Sequence, residues 1–274
     1  MNRTVKMRIN PKFQRLSLIA GVEAMDALAR TRVIVFGLGG VGSWCAEALV
    51  RSGIGRLALV DSDTVCVTNI NRQVQATASA VGRLKADALK ERLAEIAPEA
   101  EIQSFNRVFS KETAGSFGIG EADYVVDAID SLAHKLDLID RVCAEGKPLF
   151  SSMGTAQKLD PTQLKTGDIW ETEGCPLARL VRSGLRKRGF TGHFTAVYSP
   201  ERLPLRAELD PLCGTGRCLC PARESCGGEG PVEWCSSKKV INGSAVPVTA
   251  SAGMILASLV IRDVCARYGS GGTQ

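Results

Sequence analysis

Residues 32–73 read RVIVFGLGGVGSWCAEALVRSGIGRLALVDSDTVCVTNINRQ. Arg32 to Phe36 is a short apolar, β-branched run. Gly37, Gly39, Gly40 and Gly42 follow at once, then a helical stretch from Ser43 to Arg51 and a turn at Gly53 to Gly55. A second apolar run, Leu57 to Val60, ends on Asp61, 19 residues beyond Gly42. Strand, glycine turn, helix, strand and acid make up a nucleotide-binding βαβ unit. Glycines let a backbone approach a phosphate with no Cβ between them, and the helix start offers N–H groups and its positive dipole end. Asp61 stands where a carboxylate accepts from ribose hydroxyls. The plain alternative is a glycine turn needed for packing alone.

NAD and ATP both fit this unit. The next stretch, Asp63-Thr64-Val65 and Thr68-Asn69-Ile70-Asn71-Arg72-Gln73, separates them. A dehydrogenase has no physical need of an arginine there. An adenylating enzyme does, because charge develops at the α-phosphorus. Lys85 supplies a second cation, and Asp130, closing the run Tyr124–Asp130, is a carboxylate suited to Mg²⁺. The candidate nucleotide set is Gly37, Gly39, Gly40, Gly42, Asp61, Asp63, Asn69, Asn71, Gln73 and Ser131, with Arg72, Lys85 and Asp130 as catalytic candidates. Taken singly, Arg72 and Lys85 also read as solvated surface charges.

Other stretches fill out a doubly wound, Rossmann-like α/β fold, its mostly parallel sheet covered by helices on both faces. Residues 1–11 read as a loose arm and 13–29 as one helix. Residues 80–96 read as an amphipathic helix stopped by Pro98. Glu101 to Phe109 reads as a strand, Tyr124 to Ile129 as a buried central strand interrupted by Asp127, and 132–145 as a helix capped by Ser131. Strands at 148–152 and 193–198 and helices at 176–188 and 249–267 complete the set. The whole chain reads as one domain. Residues 12–150 form its nucleotide-binding core, 151–203 and 241–267 a substrate and dimer half, and 204–240 a Cys-rich loop or small lobe.

Composition bounds the class. The chain has 274 residues, 45% of them hydrophobic, and a net charge of +5. The charge suits an RNA partner without demanding one. No run of 18 apolar residues suggests a membrane span, and the basic N-terminus lacks the apolar segment of a secretory signal, so a cytoplasmic protein is expected. Of ten cysteines, Cys213, Cys218, Cys220, Cys226 and Cys235 cluster in a Gly- and Pro-rich stretch. Three readings stand side by side: a structural Zn²⁺ held by thiolates, a nucleophilic thiol, and an exposed insertion with free thiols. Cys45, Cys66, Cys143 and Cys265 read as small core residues. Helix 176–188 carries Arg179, Arg182, Arg186, Lys187 and Arg188, either a solvated face or a surface tracking the phosphates of a nucleic acid.

The runs GLGGVGSWCAEALVRSGIG (37–55) and LVDSDTVCVTNINRQ (59–73) resemble the ubiquitin-activating-enzyme superfamily. VVDAIDS (125–131), SSMGTAQKLDPTQLKTGDI (151–169), PLARLVRSGLRKRG (176–189) and VYSPE (197–201) resemble its tRNA threonylcarbamoyladenosine dehydratase branch. The resemblance spans roughly residues 12–203 and the last helix. It implies a homodimer in which Arg15 reaches the ATP site of the neighbouring subunit. In this family the segment reads Arg-Phe-x-Arg, and here Lys12 replaces the first arginine. It further implies ATP- and Mg²⁺-dependent adenylation of the threonyl carboxylate of N6-threonylcarbamoyladenosine in tRNA, followed by ring closure with net loss of water. Whether a sulfur-carrier or redox partner protein takes part stays open. Two rivals remain, an activator of a carrier protein's C-terminal glycine and an NAD-binding Rossmann protein. The absence of paired C-x2-C motifs counts against the first, and Arg72, Lys85 and Asp130 count against the second.

Overall fold

The computed structural model describes residues 10–203 and 242–269. The expected Rossmann-like fold is present. Seven strands form one sheet in the order β3-β2-β1-β4-β5-β7-β6. They are β1 (Arg32–Phe36), β2 (Arg56–Val60), β3 (Glu101–Phe105), β4 (Tyr124–Asp127), β5 (Leu149–Ser152), β6 (Lys165–Asp168) and β7 (Thr195–Tyr198). All neighbours pair in parallel except β6, which runs antiparallel to β7. The helices are α1 (Gln14–Ala20), α2 (Val22–Arg30), α3 (Gly42–Arg51), α4 (Lys85–Ile96), α5 (Leu132–Ala144), α6 (Pro176–Lys187) and α7 (Val246–Tyr268).

Alternation along the strands divides the core into two layers. Val33, Val35, Leu57, Leu59 and Val126 face α2, α3, α4 and α7. Ile34, Phe36, Ala58, Val60 and Val125 face α5, α6 and a cluster of Phe109 and Phe117. With both faces covered, the central strands read as continuous apolar runs. The winding reverses between β1 and β4, and ligands of such sheets bind at the carboxyl ends of the strands beside that reversal.

α7 has the length and apolarity of a membrane span. Here its Val248 is buried, and its Ala252, Leu256, Val260 and Val264 lie in the core shared with α3 and the sheet. At Gly253 a Cβ would sit 2.4 Å from the Val41 carbonyl oxygen, so only glycine permits this approach to α3.

Several elements differ from the sequence expectation. The expected helix over 13–29 is two helices, because Gly21 takes φ 82 between α1 and α2. The helix expected from residue 80 begins at Lys85. Gly82 turns at φ 89, and Thr64 and Leu84 form a short antiparallel bridge, with Gly82 N–H donating to Val65 O and Lys85 N–H to Asp63 O. This tertiary pairing overrides helical propensity at 80–84. β3 stops at Phe105 rather than Phe109. Ser131 occupies the N-cap of α5, but its side chain makes no capping hydrogen bond. The Cys-rich loop, with Cys213, Cys218, Cys220, Cys226 and Cys235, lies outside the described residues.

Candidate active site

The glycine turn joins β1 to α3 at the carboxyl end of the sheet. Gly37 adopts φ 84 and donates its N–H to Val60 O at 2.9 Å. A Cβ on Gly42 would lie 1.8 Å from Gly37 O, and one on Gly37 would lie 2.7 Å from Ala128 O. The turn is therefore closed on itself and wedged against the loop after β4. Above Gly39 a Cβ would meet nothing within 4 Å. No side chain caps the start of α3. An open glycine face beside an uncapped helix start is a cradle for phosphate.

Leu38, inside the turn, is held at both ends. Its N–H donates to Asp61 Oδ2 at 2.7 Å, and its carbonyl accepts from Gln75 Nε2 at 2.9 Å. The other Asp61 oxygen accepts from Asp63 N–H at 2.8 Å. Each carboxylate oxygen has two lone pairs, so Asp61 both fixes the turn and retains capacity for a ribose hydroxyl. Burial raises the Asp61 pKa and the like charge of Asp63 adds to this, against Lys85 and the two N–H donors.

Lys85 is 6% exposed and its Nζ donates to Asp63 Oδ2 at 2.7 Å. Burial works to discharge the ammonium, but Asp61, Asp63 and Asp130 outweigh it, so its pKa lies above the ordinary lysine value. It is a cation fixed in place. Arg72 donates from Nη1 to Thr68 O at 2.8 Å and to Asn71 Oδ1 at 2.9 Å, and Trp44 Nε1 donates to the Arg72 carbonyl at 2.9 Å. Its stem packs over Gly40 beside Thr249. Burial lowers the Arg72 pKa, while Cys66 and Asp130 pull it up. Asp130 is exposed at the end of the loop after β4 and acts electrostatically on both cations. The fold thus gathers the glycine turn, Asp61, Asp63, Arg72, Lys85 and Asp130 in one place.

The other sequence candidates serve differently. Asn69 is buried and its Oδ1 accepts from Cys66 N–H at 3.0 Å, which shapes the loop carrying Arg72. Asn71 links that loop to the segment preceding α7 by donating to Ser244 O at 2.9 Å. Gln73 is buried with its Oε1 unpaired. Cys66, expected in the core, is half-buried in this loop, its Sγ 3.2 Å from Thr68 Oγ1. Arg15 is exposed on α1, and nearby Phe13 packs at Gly53, at the amino-terminal pole of the sheet. The fold therefore does not bring Arg15 to this chain's own cluster. Two hollows of about 340 and 370 Å³ open at that same pole, lined by such residues as Phe13 and Met25, or Thr31 and Tyr124, remote from the cluster. Sequence reasoning missed Gln75 and Trp44, whose roles arise only from contacts 37 and 28 residues away.

Among the described residues no three His, Cys, Asp or Glu side chains are grouped to hold a metal. Mg²⁺ takes one or two carboxylates and completes its shell with phosphate and water, a requirement that Asp130 can meet. On α6 and at its C-cap Arg188, three of the five cations are engaged. Arg182 donates to Thr172 Oγ1, Arg186 lies over the Trp170 ring, and Arg188 reaches Asp137 and Asp140. Arg179 and Lys187 are exposed.

The model of the ThiF family matches residues 11–267. The tRNA threonylcarbamoyladenosine dehydratase of Haemophilus influenzae is 36% identical over 270 residues, covering 95% of this chain and 97% of its own. The enzyme of that name from Bacillus subtilis is 43% identical over 190 residues, covering 69% of this chain and 75% of its own. The crystal structure of Escherichia coli tRNA N6-threonylcarbamoyladenosine dehydratase, TcdA, in complex with ATP superposes with a TM-score of 0.75 at 30% identity, covering 93% of this chain and 94% of that one. On these matches the chain belongs to the ThiF family, in the branch of the tRNA threonylcarbamoyladenosine dehydratases.

Proposed function

We infer that the chain catalyses the ATP-dependent dehydration of N6-threonylcarbamoyladenosine in tRNA through an acyl adenylate. The observation that carries this reading is the convergence of Arg72, Lys85 and Asp130 on an open glycine turn, in a chain 95% of which is covered by a dehydratase. A threonyl carboxylate oxygen bonds to the α-phosphorus of ATP, and the bond to the β-phosphate breaks, releasing pyrophosphate. A nitrogen of the modification then attacks the acyl carbon and loses its proton as AMP departs, closing the ring.

Arg72 and Lys85 lie where charge grows on the phosphate oxygens. Both are anchored before substrate arrives, so little reorganisation is needed as that charge develops. Asp61 accepts from the ribose. Asp130 would hold Mg²⁺, which would supply further charge neutralisation to the phosphates. The cysteine cluster enters, on sequence alone, as a structural Zn²⁺ site.

A homodimer fits the exposed apolar pair Leu18 and Ile19 on α1, 82% and 87% exposed. Arg15 lies on the same helix, and its reach to a partner's site is proposed on the family resemblance. Arg179 and Lys187 are the α6 cations best placed for tRNA phosphates. The domain division stands as 12–150 for nucleotide and 151–203 with 241–267 for substrate and dimerisation, and the compartment as the cytoplasm. Ring closure is redox-neutral, so a sulfur-carrier or redox protein would enter as a relay or regulator rather than a co-reactant.

AMP release tests the reading. It should require ATP with tRNA carrying threonylcarbamoyladenosine and vanish in Arg72→Ala. AMP release or pyrophosphate exchange only with a Gly-Gly-tailed protein would replace this reading by carrier activation.

A further inference from the structure

The mechanism above leaves a fully buried charged cluster unused. β4 ends on Asp127, which is fully buried together with Lys135 and Ser151. Asp127 Oδ2 accepts from Lys135 Nζ and from Ser151 Oγ, each at 2.6 Å, and Lys135 Nζ lies 3.3 Å from Ser151 Oγ. Stability is a poor reason for such a pair, since an apolar replacement of similar volume is often neutral or better.

The remaining contact of Asp127 shows another reason. Its Oδ1 accepts from Ile129 N–H at 3.0 Å, one residue before Asp130. The same loop is pinned on its other side. Ala128 N–H donates to Phe36 O at 2.8 Å, and the Ala128 carbonyl abuts Gly37 of the phosphate turn. Lys135 also stands one turn into α5, whose N-cap Ser131 gives no side-chain cap. The cluster thus ties the start of α5, the end of β5 and the loop bearing Asp130 to a single carboxylate.

We propose that Asp127 is a positioning residue whose bond from Ile129 N–H, with its carboxylate held by Lys135 and Ser151, fixes the 128–130 loop, and so the place of the Asp130 carboxylate relative to Arg72 and Lys85, for the adenylation step. The proposal rests on the role given to Asp130 above.

Two double variants test it. Both remove the buried charges, but only one keeps an acceptor for Ile129 N–H. In D127N/K135M, Asn Oδ1 still accepts from Ile129 and Asn Nδ2 donates to Ser151 Oγ. In D127L/K135M the Ile129 N–H is left unpaired. With ATP, Mg²⁺ and modified tRNA, D127N/K135M should keep pyrophosphate-exchange kcat within a few-fold of the unsubstituted protein. D127L/K135M should lose about 100-fold in kcat, the scale of a reacting group displaced by about 1 Å. Its KM for ATP should hold, and its melting temperature should lie only a few degrees below that of the other double, the cost of one unpaired N–H.

Equal kcat in the two doubles overturns the proposal. Asp130→Ala separates the two levels. If it lowers exchange while the doubles match, only the positioning role fails. If it leaves exchange intact, the role given to Asp130 fails and the proposal falls with it. Should D127L/K135M not fold, Ser151→Ala removes one hydroxyl from the carboxylate and should lower kcat about tenfold at unchanged ATP KM. An unchanged kcat there also overturns the proposal.

Discussion

Two alanines three residues apart in the glycine turn should fail in different ways. At Gly42 an added Cβ lies 1.8 Å from Gly37 O, about 1.2 Å inside the 3.0 Å that real Cβ atoms keep, and 3.2 Å from Ala128 Cβ. Gly37 cannot retreat freely, because its N–H is bonded to Val60 O and Ala128 O stands 2.7 Å from where its own Cβ would be. The turn must therefore open by about an ångström. Overpacking of this kind costs about 1–3 kcal/mol, or about 2–4 °C of melting temperature per kcal/mol for a chain near this size. A phosphate site misplaced by about 1 Å loses about 100-fold in rate. At Gly39 the added Cβ meets nothing within 4 Å and φ lies outside the left-handed region, so Gly39→Ala should melt with the unsubstituted protein. Its methyl group instead occupies the face on which phosphate would rest. Isothermal titration with ATP and Mg²⁺, alongside thermal melts, reads both effects. Gly39→Ala should weaken ATP binding at unchanged melting temperature, and Gly42→Ala should lower both. Undiminished ATP affinity in Gly39→Ala would show that the triphosphate does not lie on that face, and the assignment of the cradle would be wrong.

Three further predictions follow from single contacts. Gln75→Leu removes the donor to Leu38 O together with a buried acceptor that has no partner. Its stability should therefore change by less than about 1 kcal/mol while KM for ATP rises, as urea melts and initial rates will show. Glu47 is held by Arg51 at 2.8 Å and Arg92 at 2.6 Å; burial raises its pKa, but the two arginines prevail and hold it below 4.5. A depressed carboxylate stabilises the fold above its unfolded pKa and loses that contribution as pH falls through the folded value. Glu47→Gln should thus cost about 1 kcal/mol at pH 7, modest because both arginines are partly exposed, and the deficit should fade in urea melts below pH 4.5. Arg179→Ala with Lys187→Ala should raise KM for tRNA and flatten its salt dependence, leaving KM for ATP unchanged.

The nucleotide half was legible because its signals are local. The run Arg32–Phe36, the glycines and Asp61 each declare their element within a few residues, and β1 and β2 formed where expected. What was not legible depends on partners distant in the chain. The start of α4 at Lys85 is set by pairing with 63–65, which no helical period reveals. Lys135 reads as a surface lysine of an amphipathic helix, yet it is fully buried because Asp127 and Ser151 sit beneath it. The basic run of α6 overstates the charge available for nucleic acid, since Asp137, Asp140, Trp170 and Thr172, which occupy three of its arginines, lie on other segments.

The most direct test of the account is to incubate the pure protein with ATP, Mg²⁺ and tRNA from a strain lacking its own copy of the enzyme, digest the tRNA and weigh the nucleosides. The account predicts that threonylcarbamoyladenosine loses the mass of one water, with matching AMP and pyrophosphate, and that Arg72→Ala abolishes the change. Unaltered nucleosides in the presence of active ATP turnover would contradict it.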